Sequence, residues 1–275
     1  VDVELAALGE LAQQLRQPTH LWSVCASGAV LALMEGRLVD AEALVEQALE
    51  LGERAQSWNA GVSHTLATFV LRRAQGRLGE IVGACARAVD RYPAQWRFRC
   101  ALADVHARLG RRDEARRLLD RLLSGDLAHD YVDAEWLFSM AVLAEACAQA
   151  ADVDAAQYVY DVLLPFDGFY AEAPLEAPFG SVVRALGILA AATGRLDDAV
   201  RHLTDAIATE DRMGAPGWRA HAQHDLAALL LDHDDARAMG LLVDAGATYR
   251  RLGMDPWGAE VDVLAARAAA AGRTA

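Results

Sequence analysis

Residues 181–213, SVVRALGILAAATGRLDDAVRHLTDAIATEDRM, decide the fold. They read as two helices joined at a glycine. The first carries Val183, Leu186, Gly187 and Ala190 at steps of three and four, which gives one apolar, closely packable face. Gly194 closes that helix in the role of a left-handed cap. The second helix sets Ala199, Leu203, Ala206 and Ile207 on one side, with Asp197, Asp198, Arg201 and Asp205 elsewhere. Neither helix alone can bury its face, whereas a stack of such pairs can.

Outward from this stretch the same punctuation recurs. Gly36, Gly76, Gly110, Ala151, Gly194 and His233 stand 34 to 43 residues apart. Five residues after each comes a small or medium apolar residue: Ala41, Ile81, Ala115, Ala156, Ala199 and Ala238. An internal repeat of this period predicts a solenoid. Its pairs are 21–34 with 39–54, 57–74 with 78–91, 94–109 with 112–123, 134–150 with 153–164, the opening stretch, and 218–232 with 234–252. A leading helix over 3–14, stopped by Pro18, and a last one from Pro256 to about Ala270 flank them. The expectation is an all-α, right-handed helical solenoid of about six pairs with an extra helix at each end. Because neighbours in such a stack share their cores, residues 1–275 are read as a single domain.

Composition narrows the function classes. Of the chain, 54% is hydrophobic and the net charge is −13. All 26 basic residues are arginine, and none of them form a dense run, which argues against nucleic-acid binding by this segment. Cys25, Cys85, Cys100 and Cys147 are widely spaced, lie in helical apolar patterns and form no C-x-x-C. They read as buried free thiols in a reducing, cytoplasmic setting. No apolar run approaches the ~20 residues of a membrane span. The start, VDVELAALGEL, lacks both an initiating Met and a basic signal-peptide region, and reads as interior to a longer chain.

The element GRLVDAEALVEQAL, with its echoes GRRDEARRLLDRLL and GRLDDAVRHLTDAI, resembles the tetratricopeptide repeat. Gly36, Ala41, Val45 and Ala48 fit its pattern, as do Gly194, Ala199, Leu203 and Ala206. Repeats two and four depart from it, with Ile81 where a small residue belongs and Ala151 where a glycine does. The longer period is similar to that of the maltose-regulon activator and its relatives. The order of WRFRCALADVHARLGRRDEA, DYVDAEWLFSMAVLAEACA, YDVLLPF and RRLGMDPWGAEV around the opening stretch resembles the C-terminal region of actinobacterial STAND-type or AAA-type signalling ATPases. That resemblance implies a regulatory sensor or protein-interaction module controlling an upstream ATPase of the same chain, with a cyclase or LuxR-type output. The alternative is a passive protein–protein scaffold with no small ligand. This segment has no lysine and therefore no phosphate loop of its own.

No constellation points to catalysis, a cofactor or a metal. His221, His224 and Asp225, followed by Asp232, His233, Asp234 and Asp235, resemble a metal cluster only on paper. The two histidines are three apart rather than four, and the DHDD run sits where Asp caps the next helix. Ser181 lacks the second glycine of a nucleophile elbow and reads as a helix start. Asp197 and Asp198 suit a helix N-terminus.

The better candidates come from geometry. Among tetratricopeptide stacks the first helix of each pair lines the concave face. Carried over residue by residue, the inward polar positions are Arg73, Arg97, Asp104, Glu145, Arg184 and Gln223. Three arginines offer forks of donors to a small anionic ligand or an acidic peptide. Equally, they can pair with Asp104, Glu145 and acids of neighbouring helices. The connection 165–180 carries Phe166, Phe169, Tyr170 and Phe179. Its aromatics, Phe169 and Tyr170 foremost, either contact the groove or a neighbouring domain, or pack onto repeats four and five. Trp22, Trp58, Trp96, Trp136 and Trp218 fall near first-helix starts and read as inter-repeat packing, Trp96 and Trp218 being placed to reach the groove.

Overall fold

A computed structural model describes residues 2–130, 132–231 and 233–271. Among them the chain forms fourteen α-helices and one β-hairpin. Helix α1 (Asp2–Leu15) leads. Six pairs follow: α2 (Pro18–Glu35) with α3 (Leu38–Arg54), α4 (Ala60–Ala74) with α5 (Val82–Arg91), and α6 (Arg97–Arg108) with α7 (Arg112–Leu123). Then come α8 (Trp136–Ala150) with α9 (Val153–Leu163), α10 (Val182–Ala192) with α11 (Leu196–Met213), and α12 (Pro216–Leu230) with α13 (Asp235–Leu252). Helix α14 (Asp255–Ala271) ends the array, and strands β1 (Tyr170–Ala173) and β2 (Ala177–Ser181) lie between α9 and α10. The chain is thus an all-α solenoid of helix pairs with a small hairpin set into it. No helix of the described residues is long and apolar enough to cross a membrane.

One turn closes the first helix of pairs one to five. The amide two or three residues past the helix returns to a carbonyl five residues back: Arg37 to Ala32 at 2.9 Å, Arg77 to Arg72 at 2.7 Å, Arg111 to His106 at 2.9 Å, Asp152 to Cys147 at 3.3 Å and Arg195 to Ala190 at 2.9 Å. Ala151 takes the left-handed φ of 54° that glycine takes in the other four. At the sixth turn Asp232 lies outside the described residues. Asp234 there caps α13, its carboxylate accepting from the Arg237 amide at 3.2 Å. Pro18, expected as a stop, instead occupies the first turn of α2, where its missing N–H costs nothing.

The small residue five places after each turn lies against the first helix: Ala41, Ala115, Ala156, Ala199 and Ala238 are fully buried. Repeat two carries the larger Ile81 there. Its second helix is entered through a 3-10 turn at Leu78–Glu80 and begins only at Val82, packing more on α6 than on α4. At Gly187 the opposite holds, since a Cβ would sit 2.6 Å from Leu203 Cγ and 3.3 Å from its backbone nitrogen, so α10 and α11 meet at backbone distance. One contiguous hydrophobic cluster runs from Ala29 to Val261. All four cysteines are free and buried within the helices, and burial raises the Cys25 thiol to about 11 and Cys85 and Cys147 to about 12.

The array curls until its two ends touch. Helix α2 packs on α12, and a small void between them and α4 is lined by Leu33, Val70, Gly217 and Met254. The Trp257 indole of α14 donates to the Arg73 carbonyl of α4 at 3.1 Å. Gly76, at φ 68°, lies so close to Pro256 that a side chain there would strike its ring.

Candidate functional site

The first helices of the pairs line the interior, and the inward polar positions all lie there. Arg73, Arg97, Asp104, Glu145, Arg184 and Gln223 are buried, none more than 6% exposed. The five charged ones fall into two groups, and Gln223, on α12, keeps its buried Oε1 without a hydrogen-bond partner.

The first group is an ion network across five helices. Glu145 on α8 is its centre, accepting from Arg184 Nη1 at 2.6 Å, facing Arg73 Nη2 at 2.7 Å, and bonded to Arg108. Arg108 Nε also donates to Asp104 Oδ1 at 3.2 Å, one turn earlier on α6. Arg184 Nη2 lies 2.7 Å from Asp225 Oδ2 on α12. Three guanidinium groups therefore face three carboxylates. Burial alone would raise the Glu145 carboxyl, but Arg184, Arg73 and Arg108 outweigh it and hold it well below the usual range. Burial prevails at Asp104, whose carboxyl is raised. The Arg73 guanidinium is also faced by the rings of Phe179, Trp257 and Trp218, centroids 5.0, 5.1 and 5.7 Å away.

Beside this network His221 is sandwiched by aromatics, 4.2 Å from the Trp257 centroid, and its Nδ1 is 2.7 Å from the Tyr249 hydroxyl. Burial, with Arg184 and Arg73 nearby, pushes its pKa well down, so the ring is neutral. His221 and Asp225 thus serve this interior, and among the described residues no group of three His, Cys, Asp or Glu is arranged to hold a metal.

The second group gathers at the hairpin. Strand β2 is buried along its whole length and β1 on alternate residues. Phe179 stacks on Phe69 and meets Phe138 and Trp218 at 5.5 and 5.2 Å, joining repeats two, four and six through one ring. Glu210 of α11 anchors the hairpin base by accepting from the Ser181 amide at 2.7 Å. At the other end the tip reaches repeat one, where Leu175 packs against the Trp22, Cys25, Ala26 and Ala48 cluster. Glu176, 1% exposed, faces Arg97 Nε at 3.5 Å, while Arg97 Nη1 donates to Glu135 at 3.0 Å. Burial raises the Glu176 carboxyl to about 7; Arg97 and Asn59 pull it down, whereas Glu135 and Asp133 push it up.

Among the loop aromatics, Phe169 remains 58% exposed outside the interior, Tyr170 is half-buried, and Phe179 is the ring that goes in. Trp22, Trp96, Trp136 and Trp218 are buried between repeats, but Trp58 is 72% exposed. Helix α4 starts at Ala60, so Trp58 lies in the preceding turn rather than on a packing face. The inward count missed Arg108, Asp225, Glu176 and Trp257. Arg108 was legible as the i+4 partner of Asp104; Glu176 and Trp257 arrive from segments that the count of first-helix positions does not cover.

Two shallow clefts mark the surface. One of about 370 Å³ is lined by Arg73, Arg108, Gln149, Trp257 and Glu260. The other, of about 680 Å³, lies on the outer side between α3 and α5 and includes His64, Arg87, Arg91 and Tyr92.

Among solved structures the chain is similar to a tetratricopeptide repeat protein from Parabacteroides merdae ATCC 43184, at 15% identity and a TM-score of 0.42, over 90% of this chain and 92% of that one. No family model matches the sequence. No curated protein matches it either.

Proposed function

We propose that this chain is a regulatory interaction module whose inward face, bearing Arg73, Arg97, Asp104, Glu145, Arg184 and Gln223, is exchanged between the chain's own side chains and a ligand or partner. The observation that carries this is the balanced ion network at the point where the array closes on itself. Desolvating six charges is expensive, and a well-packed apolar interior of similar volume would be about as stable. A face of guanidinium and carboxylate groups suits a surface that is buried in one state and wet or ligand-bound in another. The occupant would be a small anionic ligand or a peptide or protein partner, and arginine forks favour carboxylate or phosphate on it. The output is the one that the sequence resemblance implies: an upstream ATPase, with a cyclase or transcription-factor domain. Switching requires that the ligand bind the two states unequally.

The test is thermal stability against a panel of anionic metabolites, nucleotides and short peptides. A true ligand at a hundred times its Kd adds about 2.7 kcal/mol to the wild type. The increment, taken against each variant's own baseline, disappears in Arg97→Lys and Gln223→Ala. A silent panel alongside capture of a protein partner favours the scaffold.

A further inference from the structure

The hairpin tip is a tight turn, closed by the Glu176 amide donating to the Ala173 carbonyl at 2.9 Å, and its Leu175–Glu176 pair is seated in a pocket between repeats one and two. The pocket wall consists of Trp22, Ala26, Ala29, Val45, Ala48 and Ala60, where small residues leave room for one large side chain. With the tip in place only about 10 Å³ remains open. The tip comes from a different part of the array, more than a hundred residues along the chain, so the first two repeats hold it as they would hold a separate peptide.

We infer that this pocket is a recognition site for a peptide presenting a large aliphatic residue followed by an acidic one, and that Leu175–Glu176 occupies it as a built-in competitor. This rests on the interaction-module reading and shares Arg97 with the inward face, but it places the ligand at the hairpin tip and not at the Glu145 network.

Three features make the tip a displaceable occupant rather than a permanent part of the core. Leu175 holds φ at 61°, a left-handed conformation that a branched residue seldom takes. The Glu176–Arg97 approach of 3.5 Å is an ion pair without a hydrogen bond. Around it Trp22 Nε1, Asn59 Oδ1, Ser63 Oγ and Glu176 Oε2 are buried with no hydrogen-bond partner. A peptide free of the hairpin's geometry can relax the backbone and bring its carboxylate to the Arg97 fork, gaining what the tip forgoes.

The experiment uses a fluorescent synthetic peptide of residues 170–181 and the full chain carrying Leu175→Ser, which removes the tip's large side chain from the pocket but leaves the hairpin strands. Fluorescence anisotropy at pH 7.5 is expected to show saturable binding to this variant. A peptide with serine at the corresponding leucine should bind about tenfold or more weakly. Equal binding of the two peptides, or none, overturns the inference. Should the variant lose helix content by circular dichroism, hydrogen exchange on the wild type takes its place. Excess peptide then speeds exchange at Ala171–Ala177 if the tip is displaced, and unchanged exchange overturns the inference. A metabolite panel that shifts stability while the peptide fails leaves the module reading standing without this pocket. Peptide binding with a silent panel upholds the pocket and removes the small-ligand reading.

Discussion

Glu176 is the residue at which burial and charge are least reconciled. Its carboxyl is raised to about 7 in the folded chain, above its value when unfolded, because burial outweighs Arg97. A raised acid binds its proton more tightly when folded. Its contribution is therefore fully present below the unfolded carboxylate range and is lost as pH climbs to about 7. Glu176→Gln should leave stability at pH 4 nearly unchanged and raise it at pH 8, by up to ~3 kcal/mol. Urea midpoints of both proteins across that range check this, and a parallel pH dependence of the two would refute it. Glu145 has the opposite sign. Its carboxyl is held well down by three arginines, so its contribution persists at neutral pH and fades only as pH falls through that lowered value. Such a carboxylate could be placed inward from sequence alone, since it sits on the first helix of repeat four in step with Arg184 on repeat five. Its partners could not, because which arginine reaches it depends on how the stack curves.

At the level of elements, the helix pairs were legible because a turn residue, glycine in four of six, and a small or medium apolar residue five places later recur every 34 to 43 residues. The hairpin was not. PFDGFYAEAPLEAPFG has three prolines and no sustained alternation, so nothing local asks for a strand. The two strands exist because the interior supplies Phe69, Phe138 and Trp218 to bury Phe179, and Glu210 to hold the Ser181 amide. Phe179→Ala should accordingly cost about 3–5 kcal/mol, a core-sized loss for a residue in an apparent loop. Denaturant titration gives the value, and less than ~1 kcal/mol would mean that the hairpin only rests on the surface. The backbone approach at Gly187 makes a second demand on an element. Gly187→Val would drive α10 from α11 and lower stability by about 1–3 kcal/mol.

Across the whole molecule the ends of the array are joined. From sequence the stack itself follows, but not its closure, which depends on the accumulated curvature of six pairs and on Trp257 arriving opposite Arg73. Trp257→Ala removes the indole that bonds the Arg73 carbonyl and lies 5.1 Å from its guanidinium. It is expected to enlarge the radius of gyration in small-angle X-ray scattering, and an unchanged radius would show the seam held by α2 and α12 alone. The pairing of Trp257 with Arg73 spans 184 residues. Open repeat proteins melt and form piecemeal, each unit answering only to its neighbours. A closed one surrenders that independence and should unfold in a single step, with the slow collapse that distant contacts impose. During synthesis the interior arginines and carboxylates would remain hydrated until Trp257 had left the ribosome. The order of translation thus leaves an interval in which the charged face is open to whatever meets it first.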